Sequence, residues 1–143
     1  MKLIDLNVLL YALNRDSVHH RRAKQWLEET LSGQESVGLP WVVILGFLRV
    51  STHPRVLTKP LPPGAALDVV DGWLQRPNVT TLGPGDDHWQ VLRSLLDEAG
   101  TAGNLTTDAH LAALAIEHGC ELCSSDSDFA RFPDVRWSNP LAE

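Results

Sequence analysis

Four aspartates carry the chemistry this sequence offers. Asp5 lies in the run KLIDLNVLLYAL, Asp108 in NLTTDAHLAALAIEHG, and Asp126 and Asp128 in CELCSSDSDFARFP. Asp5 has almost only apolar neighbours, where an ionised carboxylate without a partner costs several kcal/mol, so a cation, a hydrogen-bond network or a metal is expected beside it. Asp108 shares a helical stripe with Leu111, Ala112 and Ala115, which turns it toward the inner end of its helix. Asp126 and Asp128 directly follow an apolar segment that reads as a strand. Each also has an ordinary use. Asp5 can cap a helix, Asp108 can meet a helix N-terminus, and Asp126 and Asp128 can form an Asp/Ser turn. Their combination points further: acids from distant parts of the chain, brought to one sheet edge, repel unless a cation sits between them. All-oxygen ligation without histidine or thiolate suits magnesium or manganese.

The elements that must position these acids alternate between strand and helix. Lys2–Ile4 reads as a short buried strand, and Leu6–Leu13 as a helix after a turn at Asp5–Asn7. Ser17 is placed to cap a second helix through His20, Ala23, Trp26, Leu27 and Leu31, with Gly33 ending it. In WVVILGFLRVST, Trp41, Ile44, Leu45 and Leu48 recur at helical spacing, and the helix should end before Pro54. AALDVVDGWLQ forms the next helix, an antiparallel partner for it, with Ala66, Val69, Val70 and Trp73 on one stripe. NVTTL is a strand. Asp86 or Asp87 then caps a helix carrying Trp89, Leu92, Leu95 and Leu96, closed by Gly100. Another helix runs from a capping Asn104 to Gly119, followed by the strand CELCSS, a turn at DSDFARFP and an edge strand at VRW. This alternation predicts an α/β fold with a central, mainly parallel sheet covered by helices on both faces. Sites in such sheets form beyond the carboxyl ends of the strands.

A chain of 143 residues, 43% hydrophobic, fits one domain over 1–143. Cys120 and Cys123 have no other thiol to join, so neither a disulfide framework nor a four-cysteine zinc site is available. That points to a reducing, cytoplasmic setting. No stretch approaches the ~18 apolar residues that span a bilayer, and the N-terminus lacks a small-residue cleavage site. A net charge of -6 argues against binding nucleic acid by general phosphate attraction alone. A divalent ion held by clustered carboxylates changes that balance locally.

LIDLNVLLYA, GFLRVSTHPRV and NLTTDAHLAALAIEHGCELCSSDSDFARFP together resemble PIN domains of the VapC toxin type, across nearly the full chain. The resemblance implies a three-layer α/β/α domain and an endoribonuclease, a hydrolase dependent on Mg2+ or Mn2+, that serves as the toxin of a toxin-antitoxin pair. By position, Asp5, Asp108 and Asp126 match the metal-binding and catalytic acids. Asn7 matches a polar residue close behind them, and Asp128 the second acid of the closing motif. In that mechanism Asp5 and Asp108 contact the metal directly, while Asp126 serves a second metal or the attacking water. A cognate VapB-like antitoxin and self-association as a homodimer through helices are also implied. One position departs from the pattern: Ile44 stands where the family commonly has a glutamate, and no acid occurs between Glu35 and Asp68.

That departure keeps open an alternative of another class, a catalytically weakened module that binds RNA or antitoxin without cutting. A receiver-like signalling domain also clusters acids on an α/β sheet, but the spacing between the acids fits it poorly. The Cys120–Cys123 spacing imitates a redox motif, yet both lie in a strand rather than at a helix N-terminus. Histidines lack zinc-protease spacing. Trp26, Trp41, Trp73 and Trp89 sit at core spacing. Arg49, His53 and Arg55 suit either an RNA backbone or a solvated helix end.

Overall fold

The structure, a computed structural model, describes residues 1–142. Its sheet has five strands: β1 (Lys2–Ile4), β2 (Val37–Pro40), β3 (Val79–Leu82), β4 (Glu121–Cys123) and β5 (Trp137–Ser138), in the order β3-β2-β1-β4-β5 with every pair parallel. The helices are α1 (Leu6–Leu13), α2 (His20–Ser32), α3 (Trp41–Ser51), α4 (Pro63–Leu74), α5 (His88–Ala99) and α6 (Thr106–His118).

The chain moves from β1 outward to β2 and β3, then crosses back past β1 to β4 and β5. Because parallel crossovers are right-handed, this reversal sends α1–α4 to one face of the sheet and α5 and α6 to the other. The result is the expected α/β/α layering. Leu3, Ile4, Leu39 and Leu122 of the central strands are at most 1% exposed and pack with Val8, Phe47, Leu114 and Phe129. With both sheet faces covered, the strands are continuously apolar rather than alternating.

β2 escapes sequence reading because Gly38 and Pro40 are poor strand residues. Its four residues are nevertheless all buried. A Cβ on Gly38 would overlap the Leu82 side chain, 2.9 Å from its Cγ, so only glycine lets β3 lie this close. Pro40 comes last, where its missing N–H is harmless and its extended backbone (φ -64, ψ 144) opens α3.

Three helix starts differ from the sequence expectation. α2 begins at His20 with His19 as its N-cap; Ser17 Oγ instead accepts from His19 N at 3.1 Å in the preceding turn. Asn104 lies inside a 3-10 turn, Gly103–Leu105, and α6 starts after it at Thr106. Asp87 occupies the N-cap of α5 without a side-chain capping bond. The helix ends agree: Gly100 and Gly119 are left-handed (φ 71 and 65), a conformation that favours glycine.

Trp73 is buried, with its ring 4.7 Å from that of Phe47 where α4 packs on α3. Trp41 and Trp89, expected in the core, are 51% and 67% exposed. On α3 the buried stripe is Val43, Ile44 and Phe47, so Trp41 and Leu45 face outward. A short apolar helix has several possible faces, and only its neighbours select one. α5 and α6 are joined by a polar chain in which His88 Nδ1 lies 2.5 Å from Glu117 Oε2 and His88 Nε2 lies 2.8 Å from His110 Nδ1.

Candidate functional site

Asp5 directly follows β1, and Ser124 directly follows β4. The register that pairs Ile4 with Cys123 sets them side by side at the carboxyl edge of the two central strands. This is also where the chain's path across the sheet reverses, the usual location of a site in an open parallel sheet.

Asp5 is both the cap and the centre of a network. It is 7% exposed and sits at the N-cap of α1, where Oδ1 accepts from Leu6 N at 2.7 Å. Its Oδ2 accepts from Ser124 Oγ at 2.7 Å and from Asn7 Nδ2 at 3.3 Å. Asn7 Nδ2 also donates to Ser124 Oγ (3.1 Å), and Asn7 Oδ1 accepts from Ser125 N (3.2 Å), which ties α1 to the loop after β4. Asp126 N donates to Ser124 Oγ at 3.0 Å. Ser124 is wholly buried and bonds on every side. Sequence reasoning passed over it; its signal was a small polar residue immediately after an apolar strand and two before an acid.

Asp126 caps the 3-10 turn Ser127–Arg131 by accepting from Asp128 N at 2.9 Å, which fixes both acids relative to the strand end. Asp108 reaches them from the first turn of α6. One carboxylate oxygen from each of Asp108, Asp126 and Asp128 lies within 4.8 Å of the others. Asp5 is not in this trio but adjoins it: Asp5 and Asp108 each repel Asp126, and Asp108 also feels Asp5. Of the sequence-selected residues, the structure therefore gathers all five, with Asp128 in the open cluster and Asp5 and Asn7 in the hydrogen-bonded wall behind it. Ile44 is 2% exposed within the hydrophobic core.

The electrostatics are one-sided. Burial pushes the Asp108 carboxyl up to about 6, and the charges of Asp126, Asp5 and Asp128 push the same way. Asp5 is also raised, first by burial and further by Asp126, against the lowering effect of its bonds from Ser124 and Leu6. Among the described residues no Lys, Arg or His forms an ion pair with any of the four acids. Hard, acceptor-only oxygens held close without a protein cation suit an octahedral, oxygen-seeking divalent ion such as magnesium or manganese. Asp5 Oδ1 retains a lone pair for such an ion after capping α1.

Known proteins resemble this chain over its full length. Ribonuclease VapC33 of Mycobacterium tuberculosis is 46% identical to this chain over 143 residues, covering 100% of both. Ribonuclease VapC37 of the same organism is 46% identical over 142 residues, 99% of each. The solved structure of VapBC-1 from nontypeable Haemophilus influenzae superposes with a TM-score of 0.70 at 14% identity, covering 99% of this chain and 98% of that one; it speaks for the fold. The PIN domain model matches residues 2–135. With acids gathered at the carboxyl edge of a five-stranded parallel sheet and a full-length match to its members, this chain belongs to the PIN domain family.

Proposed function

We propose that this chain, a single PIN domain over 1–143, is a metal-dependent endoribonuclease acting as the toxin of a VapBC-type pair. One observation carries the reading: Asp108, Asp126 and Asp128 converge within 4.8 Å, beside buried Asp5, and among the described residues no Lys, Arg or His forms an ion pair with them. Asp108 and Asp126 would hold Mg2+ or Mn2+ together with Asp5, with Asp128 beside them on the open side. Such an ion would supply charge neutralisation at a phosphate and a bound water acidic enough to become the nucleophile. The chain's own part is positional. Ser124 and Asn7 hold Asp5 in one rotamer, and the Asp126–Asp128 turn fixes the second acid pair to the strand end. Ile44 lies in the core, so the site works with these four acids and without a glutamate from α3.

The partners follow from the same reading. Trp41, Val42 and Leu45 leave 51%, 37% and 61% of their surface exposed on α3, an apolar face suited to a second copy of the chain. A VapB-like antitoxin covers the acidic site. The working compartment is the cytoplasm, in keeping with two free, buried cysteines; among the described residues no helix is long and apolar enough to cross a membrane.

The test is cleavage of RNA with magnesium or manganese against chelator, by the parent protein and by Asp5→Asn and Asp108→Asn. The expected result is chelator-sensitive cutting that falls by more than about 100-fold in both variants, beyond the loss typical of residues that merely support a metal ligand. Cutting by the variants at the parental rate overturns the assignment.

A further inference from the structure

An acidic protein that acts on a polyanion needs local cations. The chain has 12 Lys and Arg against 18 Asp and Glu, and its acid cluster adds to the repulsion an approaching RNA meets. Several cations are already engaged: Lys2 with Glu35, Arg93 with Asp97, and Arg22 and Arg136 with backbone carbonyls. Arg15, Lys24 and Lys59 are exposed and, among the described residues, free of any ion pair. All three line one cleft of about 460 Å³, together with His20, and among the described residues Asp16 is the single acid on its wall.

The cleft lies where the chain leaves α1, where α2 begins, and where Leu57–Leu61 of the connection to α4 crosses. α1 has Asp5 at its N-cap and the cleft at its other end. Its eight residues separate the two by about 12 Å along the helix axis, so a strand that fills the cleft reaches the acids within a few nucleotides. His20 adds a distinct chemical feature. Its Nδ1 lies 3.0 Å from the Tyr11 carbonyl, which only accepts, so Nδ1 carries the hydrogen and Nε2 of the neutral ring is left as an acceptor. A cluster of cations with one acceptor beside it suits a ligand that repeats anionic groups with a hydroxyl close to each. A ribose offers both a phosphate and a 2′-hydroxyl.

We propose that this cleft binds the sugar-phosphate backbone of the RNA substrate a few nucleotides from the scissile bond. Arg15, Lys24 and Lys59 meet phosphates, and His20 Nε2 accepts from a 2′-hydroxyl. The assignment rests on the ribonuclease reading above and adds to it how an acidic chain holds RNA at a distance from its acids.

The experiment is binding of a fluorescent single-stranded RNA, and of DNA of the same sequence, to the metal-free protein across a salt series, followed by anisotropy. Replacing Arg15, Lys24 and Lys59 together by alanine should weaken RNA binding by at least about tenfold and flatten the log–log salt slope by about 2, the release expected for three phosphate contacts on a single strand. Lys24→Arg and Lys59→Arg should bind as the parent does, and His20→Ala should narrow the preference for RNA over DNA. With metal restored, the alanine variant should cut with raised KM and unchanged kcat. An unchanged salt slope overturns the proposal, as does a loss of affinity confined to an acidic peptide assayed in parallel. If the parent fails to cut RNA at all, the ribonuclease reading fails, while the salt slopes still judge the cleft.

Discussion

Asp5 and Ser124 together show how an expensive residue is kept. The carboxylate is buried at a strand end, and three groups donate to it: Leu6 N, Ser124 Oγ and Asn7 Nδ2. Ser124 Oγ in turn accepts from Asn7 Nδ2 and Asp126 N. Ser124→Ala therefore removes the strongest side-chain support of Asp5 and leaves Asp126 N without its acceptor. The expected cost is about 1–3 kcal/mol of stability, read by denaturant unfolding. If Asp5 holds the ion as proposed, the same change should weaken manganese binding by about 10- to 100-fold, read by calorimetry, because it frees that carboxylate to turn. A variant that keeps full manganese affinity would show that Asp5 is held by its helix alone.

At the scale of elements, the site depends on where α6 lies, since Asp108 is carried on its first turn. α6 is fastened to α5 near its C-terminus through His88. An ionised Glu117 only accepts, so His88 Nδ1–H donates to it, and His88 Nε2 shares a hydrogen bond with His110 Nδ1. The Glu117 side chain is 10% exposed. His88→Ala strands that carboxylate and should cost about 1–3 kcal/mol, measured by urea unfolding, whereas His88→Gln keeps a donor and should recover part of the loss. Equal loss in both would mean that ring packing, not the hydrogen bond, joins the two helices. Burial and the neighbouring His88 lower the His110 pKa, with Glu117 opposing, so this join favours neutral imidazole at His110.

For the whole molecule, the acids set how stability depends on pH. Asp5 and Asp108 both have raised folded-state pKa values, Asp108 to about 6. A group raised on folding contributes stability that is present below its unfolded value and lost as pH rises through its folded value. The metal-free protein should therefore lose stability from these groups between about pH 4 and 6, the interval between the ordinary aspartate value of 3.8 and that of folded Asp108. Manganese should raise the melting temperature at pH 7.5 and much less at pH 5. Asp108→Asn should melt at or above the parent at pH 7.5 without metal and gain little from manganese. Equal stabilisation by manganese at both pH values would place the ion elsewhere. Assembly is tested separately: the parent should behave as a dimer by light scattering, and Leu45→Glu, which puts a charge on the exposed apolar face of α3, should give a monomer. A dimer that survives the change would move the interface off this helix.

Much of the fold and the site was readable in the residues. The apolar runs around β1 and β4, the glycines closing α5 and α6, and the acids just beyond strands and at a helix start follow from local rules of burial and capping. These act over a few neighbours and leave a local trace. What lay beyond reach was set across the sheet. β2 contains Gly38 and Pro40, and it is a strand because β1 and β3 flank it and Leu82 needs the space above Gly38. The outward face of α3, with Trp41 and Leu45, was chosen by the packing of Val43, Ile44 and Phe47. Ser124 became a keystone only through the β1–β4 register, and the Arg15–Lys24–Lys59 cleft only through the meeting of three connections. The sequence by itself determined which residues cannot be left without partners. The tertiary structure decided who those partners are, because contacts between residues over a hundred positions apart have no periodicity along the chain.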